Sequence, residues 1–225
     1  MINAILKFLI SLLESFLLIG SSKAAFFDAA AFVWTKKMED NYLIIRDEFL
    51  ALQSTQIPSF ATLSPEQERI NEKQDWKAFV LLAYGNWVDK NSKLCPQTTQ
   101  LLKEIPAIKS AMFSVLAPGT VLIPHRGPYR GVLRYHLALM VPKQNAADCA
   151  LIVDHQKISW QEGSAYVFDD GYEHEAYNRT SEPRVVLFID FERPLLFPFN
   201  FLNRFLIFVI SQTPFIKRIY RNAGD

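Results

Sequence analysis

The sequence predicts a mainly β domain with flanking helices, on three observations. Between Ser114 and Arg184, short runs of apolar and β-branched residues alternate with Gly, Pro, Asn and Asp turns, the pattern of antiparallel strands. Ahead of them, Phe26–Gln53 is rich in Ala, Leu and charged residues at helical spacing. Apolar stretches of helical length also lie near both ends, over Met1–Ile19 and Phe199–Gln212.

The chain divides accordingly. Residues 1–22 form an apolar N-terminal helix, residues 23–194 the domain (helical part 23–108, β core 109–194), and residues 195–225 an apolar, then basic, extension. In Met1–Ile19 the polar Asn3, Lys7, Ser11, Glu14 and Ser15 share one narrow stripe. Lys7 and Glu14 interrupt the apolar run, unlike a cleaved signal peptide. Glu14 in a bilayer centre would cost ~2.5–3.5 kcal/mol. The expectation is a helix lying in a membrane interface or packed on another apolar element, with a true span and a core helix as alternatives.

Within the domain, Trp34, Met38, Tyr42, Ile45 and Phe49 recur at three to four, so Phe26–Gln53 is expected to be helical with this face buried. Ser54 to Ser64, with Pro58 and the adjoining Pro65, reads as a loop, Asp75–Gly85 reads as a strand or strand pair, and Cys95-Pro96 opens a helix running to about Lys103. The two cysteines, Cys95 and Cys149, show neither metal-site spacing nor a disulfide framework and read as reduced core thiols. A net charge of +1 gives no reason to expect a nucleic-acid partner. After Pro194, Lys217, Arg218 and Arg221 follow the apolar helix; an anionic lipid surface would attract that combination, and packing over the barrel is the alternative.

Three of the four histidines, His125, His136 and His174, lie in the β-rich part. Two histidines on neighbouring strands can meet at one metal ion. His155 reads as an exposed hairpin residue, and the sequon Asn178-Arg179-Thr180 as accidental so near a candidate ligand. Arg134 and His136 alternate on one strand and so share a face.

The segments HRGPYRGVLRYHLAL and FDDGYEHEAYN resemble the aspartyl/asparaginyl β-hydroxylase family of Fe(II)- and 2-oxoglutarate-dependent dioxygenases, and the likeness runs from about Phe26 to Pro194. The resemblance implies a double-stranded β-helix (jelly-roll, cupin-like) core. It implies His125 and His174 as iron ligands, Ser114 and Arg184 on the distal carboxylate of 2-oxoglutarate, and Arg134 and His136 near the carboxylate that chelates iron, with O2 as the other cosubstrate. Arg126, Tyr129 and Arg130 follow the first histidine and are candidates to face substrate. One departure matters. The carboxylate common two residues after the first His is Gly127 here, which leaves water, Asp169 or Asp170 to complete the set. The family divides between hydroxylation of Asp or Asn side chains in proteins and hydroxylation of an acyl chain of lipid A. The expected partners are therefore a membrane surface or lipid A, or an Asp/Asn-containing protein. The expected location is membrane-associated on the cytoplasmic face, with a soluble cytoplasmic protein as alternative. The missing carboxylate keeps open a third reading, a jelly roll that binds a ligand or protein without turnover. Oligomeric state is unassigned.

Overall fold

The structure, a computed structural model, describes residue 14 and residues 21–52, 57–71, 73, 75–143 and 146–224. The expected N-terminal helix lies outside these residues except for Glu14. Two β-sheets face each other. The larger contains β1 (Phe26–Phe27), β2 (Trp76–Ala83), β3 (Asn86–Trp87), β4 (Ile108–Leu116), β6 (Val132–Met140), β9 (Ala165–Phe168) and β11 (Arg184–Glu192), in the order β1-β9-β6-β11-β4-β2-β3. The smaller contains β5 (Val121–His125), β7 (Cys149–Val153), β8 (Gln156–Ser159) and β10 (His174–Asn178), in the order β5-β10-β7-β8. All pairings are antiparallel.

The period of two along each strand builds two cores on opposite faces of the larger sheet. The outward face, with Ala111, Phe113 and Val115 of β4, Leu133, Tyr135 and Leu137 of β6 and Val185, Leu187 and Ile189 of β11, packs under the helices. Those helices are α1 (Trp34–Asp40), α2 (Tyr42–Ala51) and α5 (Pro96–Lys103); Met38, Ile45, Phe49 and Leu102 meet the sheet. The inward face, with Met112, Leu116, Ala138, Val186 and Phe188, packs on Leu122, Leu151, Val153 and Ala176 of the smaller sheet. The alternation places Ser114, Arg134, His136, Arg184 and Asp190 on that inward face too.

The helical stripe behaves as read, with two corrections. Phe26 and Phe27 are a strand, not the start of the helix, because they pair with Phe168 and Val167. The helix itself breaks at Asn41 into α1 and α2. A short α3 (Phe60–Leu63) and an α4 (Asp89–Leu94) complete the helical part. At the C-terminus, α6 (Phe199–Ser211) and α7 (Pro214–Gly224) pack on the domain through Tyr129, Val132, Leu206, Ile207, Ile210 and Ile216. Among the described residues no helix is long and apolar enough to cross a membrane.

Both cysteines are free and buried. Burial, then the Glu48 carboxylate, pushes the Cys95 thiol up to about 12, and burial raises Cys149. At pH 7 that leaves about 10⁻⁵ of Cys95 as the reactive thiolate. Native protein should therefore resist iodoacetamide at both positions and take it up at both once unfolded. Mass-spectrometric detection of either adduct in the folded protein would contradict the assignment.

Candidate metal centre and anion pocket

His125 ends β5 and His174 begins β10, and the antiparallel register sets them directly opposite each other. Their ring centroids are 4.2 Å apart. Each Nδ1 faces a backbone carbonyl two residues back, Ile123 at 2.7 Å for His125 and Tyr172 at 3.0 Å for His174. A carbonyl only accepts, so each Nδ1 carries the proton and each Nε2 presents a lone pair. Burial and the neighbouring His174 hold His125 down to about 4. Burial, then Arg134, holds His174 down to about 4 as well. Both imidazoles are thus neutral at physiological pH, the form that ligates a metal.

Both line an inner cavity of about 40 Å³ between the sheets, with Trp76, Ser114, Arg134, His136 and Arg184 as its other polar walls. Leu122, Leu151, Phe168, Ala176 and Phe188 supply the apolar ones. A shallower hollow of about 300 Å³ beside α4 and α5, lined by Asp89, Lys93 and Lys103 among others, contains no histidine. The chemistry therefore concentrates in the smaller space.

Arg184 is buried, and its Nε and Nη1 have no hydrogen-bond partner. Its guanidinium lies over the Trp160 ring, 5.0 Å from the centroid. Burial pushes it down to about 10, so it remains a cation at neutral pH. An unpaired buried cation costs several kcal/mol by desolvation unless an anion joins it. His136 also has both ring nitrogens buried without partners, and burial, then Arg184, holds it well below the ordinary value. Its ring stacks near Trp160 at 5.9 Å. Ser114 Oγ accepts a hydrogen bond from Trp76 Nε1 at 3.0 Å, which leaves its own proton available.

Arg134 lines the cavity and is at the same time held by two carboxylates. Its Nε donates to Asp190 Oδ1 at 2.9 Å and its Nη2 pairs with Asp170 Oδ2 at 2.8 Å. The guanidinium also covers the Phe188 ring at 4.2 Å. It shapes the cavity wall as a fixed clamp between two carboxylates. Burial raises both of those carboxyls, against the pull of Arg134.

Gly127 proves to be a matter of space. A Cβ there would stand 2.1 Å from Asp170 Oδ2 and 2.4 Å from its Cγ. Gly127 N also donates to Asp170 O at 2.8 Å. The carboxylate of Asp170 thus fills the room that a side chain at position 127 would need. Among the described residues no third His, Cys, Asp or Glu joins the two histidines as a metal group. Asp169 points elsewhere: it pairs with Arg130 and the buried Arg193 and accepts from Gly171 N at 2.9 Å.

Gly127→Ala should therefore destabilise the fold by about 3 kcal/mol, the scale for breaking a buried ion pair, because Asp170 cannot move without leaving Arg134. Gly127→Asp should do the same and not complete a triad. In an Asp170→Ala background most of the cost of Gly127→Ala should disappear. A double-mutant cycle by thermal denaturation checks this, and simple additivity would contradict it.

The substrate candidates separate. Arg126 is exposed. Arg130 is held by Asp169 and lies over the Tyr172 ring at 4.5 Å, while its backbone N–H donates to Glu14 Oε1 at 2.8 Å. Tyr129 departs from the expectation: it is buried, with its hydroxyl on Asn203 Oδ1 at 2.7 Å, and does not line the cavity. The helix that buries it lies more than seventy residues later. His155 is exposed in a turn at φ +63°. Asn178 is fully buried, with Nδ2 on the carbonyls of Leu116, Ala117 and Glu182, which suits the reading of its sequon as accidental. Trp76, Trp160, Asp170 and Asp190 complete the site. Of these, Asp170 was already a candidate in the sequence, and Asp190 left a trace as a carboxylate in register with Arg184 on an apolar strand.

Comparison with known proteins gives this arrangement its context. The chain is 45% identical over 193 residues to the ornithine lipid ester-linked acyl 2-hydroxylase of Rhizobium tropici, covering 85% of this chain and 68% of that protein. It is 34% identical over 168 residues to the human aspartyl/asparaginyl beta-hydroxylase, covering 72% of this chain but 21% of that longer protein. Among solved structures, a Cupin_2 domain of an XRE family transcriptional regulator from Enterobacter cloacae superposes over 53% of this chain and 99% of that one, with a TM-score of 0.37 at 12% identity. The model of the aspartyl/asparaginyl beta-hydroxylase family matches residues 39–194, which include both paired histidines and Arg184, and the chain belongs to that family.

Proposed function

We propose that this protein is an Fe(II)- and 2-oxoglutarate-dependent dioxygenase that hydroxylates an acyl chain of a membrane lipid. The observation that carries the dioxygenase reading is the buried, unpaired Arg184 guanidinium in the same small cavity as two histidines with free Nε2 atoms. The donor set fits iron as a pair of neutral imidazoles, with the remaining positions left to water and a chelating cosubstrate. The lipid reading rests on the acyl 2-hydroxylase from Rhizobium tropici, whose likeness spans most of both chains.

When bound, iron with 2-oxoglutarate and O2 supplies the oxidising power for inserting one oxygen into a C–H bond, with succinate and CO2 as the other products. The residues of the chain do the positioning. Arg184 would take the distal carboxylate through its fork, with Ser114 donating to the same group. Neutral His136 offers one N–H to the pocket without adding a charge. The Asp190–Arg134–Asp170 chain holds the wall rigid, and Asp170 keeps Oδ1 buried without a partner, an acceptor for a water hydrogen. Phe168, Phe188 and Leu151 keep bulk water out.

The deciding experiment is succinate formation by purified protein with Fe(II), 2-oxoglutarate and O2, in the presence of dispersed ornithine lipid, of lipid A, or of an Asp/Asn-containing peptide. Stimulation by a lipid supports the proposal, stimulation by the peptide alone moves the substrate to the protein branch, and absence of turnover together with absence of iron binding overturns the enzyme reading.

A further inference from the structure

Helix α6 has two faces of opposite use. Asn203, Leu206, Ile207, Ile210 and Ser211 are buried against the domain. On the other side Phe201, Phe205 and Phe208 are 63%, 61% and 61% exposed, and the turn before the helix adds Leu196 and Phe197 at 72% and 77%. Spacing of four and three sets the phenylalanines along one stripe. The Phe197 and Phe201 rings touch edge to face with centroids 6.0 Å apart, so the stripe is continuous. A soluble surface rarely carries so many large apolar side chains together.

The chemistry around the stripe names what covers it. Residues 199–224 contain Lys217, Arg218 and Arg221, together with an Arg204 that pairs with Glu192, and no Asp or Glu of their own. In α7, Ile216 is buried and Ile219 and Ala223 pack inward, while Lys217, Tyr220 and Arg221 are exposed one turn apart. An exposed apolar stripe, followed in the next helix by exposed cations and a tyrosine, matches the boundary between headgroups and acyl chains of an anionic bilayer. At thirteen residues α6 is about 20 Å long, too short to span, so it fits in the plane of the interface.

We infer that the Leu196–Phe208 stripe of α6 is a monotopic docking face for an anionic phospholipid bilayer, assisted by Lys217 and Arg221 of α7. The buried side of the same helix explains what docking achieves. Asn203 accepts from Tyr129 and donates to Gly131 O at 2.9 Å, and a Cβ on Gly131 would stand 2.0 Å from Asn203 Oδ1. These residues belong to the connection between β5, which ends in His125, and β6, which carries Arg134 and His136. That connection therefore lies about one helix diameter, some 10 Å, from the lipid-facing side. The docking face stands on its own observations. Its role in delivering an acyl chain to the cavity rests on the lipid reading above.

The test uses the full chain without iron or cosubstrate, so it is independent of turnover. Partition onto vesicles of phosphatidylcholine and phosphatidylglycerol (7:3) is measured by flotation, with analytical ultracentrifugation alongside. The variant Phe201→Ser/Phe205→Ser/Phe208→Ser should lose about 1,000-fold in partition, taking roughly tenfold for each phenyl ring withdrawn from lipid. Lys217→Glu/Arg221→Glu should lose about tenfold on these vesicles and little on pure phosphatidylcholine. Both variants should keep the circular dichroism of the parent. Unchanged flotation of the triple variant would overturn the proposal. A parent dimer that the triple variant dissociates, with no parent flotation, would overturn it in favour of a second copy as the occupant. Normal flotation without turnover on any substrate would leave the docking face standing and remove the proposed function instead.

Discussion

His174→Ala is expected to abolish 2-oxoglutarate turnover and iron binding while the domain stays folded. The expectation follows from how little protein there is at the centre. Two imidazoles face each other across the β5–β10 pair, and among the described residues no third His, Cys, Asp or Glu stands with them. Even outer partners of metal ligands typically cost about 10–100-fold when lost, so the loss of one of two direct donors should exceed that. The structural cost is modest by comparison. The side chain gives up one bond to Tyr172 O, worth about 1 kcal/mol, and Ala remains compatible with a strand between β5 and β7. Succinate yield, bound iron and near-ultraviolet circular dichroism are read together. Retained succinate formation in a folded variant would remove the two-histidine centre from the mechanism.

Arg184→Met should raise the 2-oxoglutarate requirement by about 10²–10³-fold and leave the fold as stable as the parent or more stable. A bidentate charge-assisted pair is worth about 3–4 kcal/mol, and each 1.4 kcal/mol is tenfold. The opposite sign for stability comes from the free state. Arg184 Nε and Nη1 are buried with no hydrogen-bond partner, so the empty pocket carries an uncompensated cation that methionine, of similar length and no charge, relieves. KM for 2-oxoglutarate and melting temperature separate the roles. A residue present for packing alone would show the reverse, with a lowered melting temperature and an unchanged KM.

The sequence carried the parts of this site that depend on local period, and withheld those that depend on distant partners. Arg184, Val186, Phe188 and Asp190 alternate out of an apolar strand, so their common face is legible, as is the shared face of Arg134 and His136. Two histidines at strand ends could be expected to meet. Four features were not legible. Phe26 and Phe27 become a strand only because Phe168 and Val167 lie beside them. Arg134 is spent on Asp190, 56 residues away. Tyr129 is withdrawn from the cavity by Asn203, 74 residues on. The glycine at position 127 looks like a lost ligand until the carboxylate of Asp170 is found in its space.

The placement of the two histidines in the smaller sheet has a kinetic consequence. His174 lies on a strand hydrogen-bonded on both sides, to β5 and to β7, whereas β5 is a five-residue edge whose single strand neighbour among the described residues is β10. Edge segments open locally at a free energy well below that of the whole domain. The two histidines are therefore unequal in time although matched in space. If the pair holds iron as proposed, the ion would be released by transient fraying of β5 and detachment of His125, with His174 as the anchored half. The topology would then set which histidine lets go first, and the rate of metal exchange would be a property of one short strand and not of global unfolding.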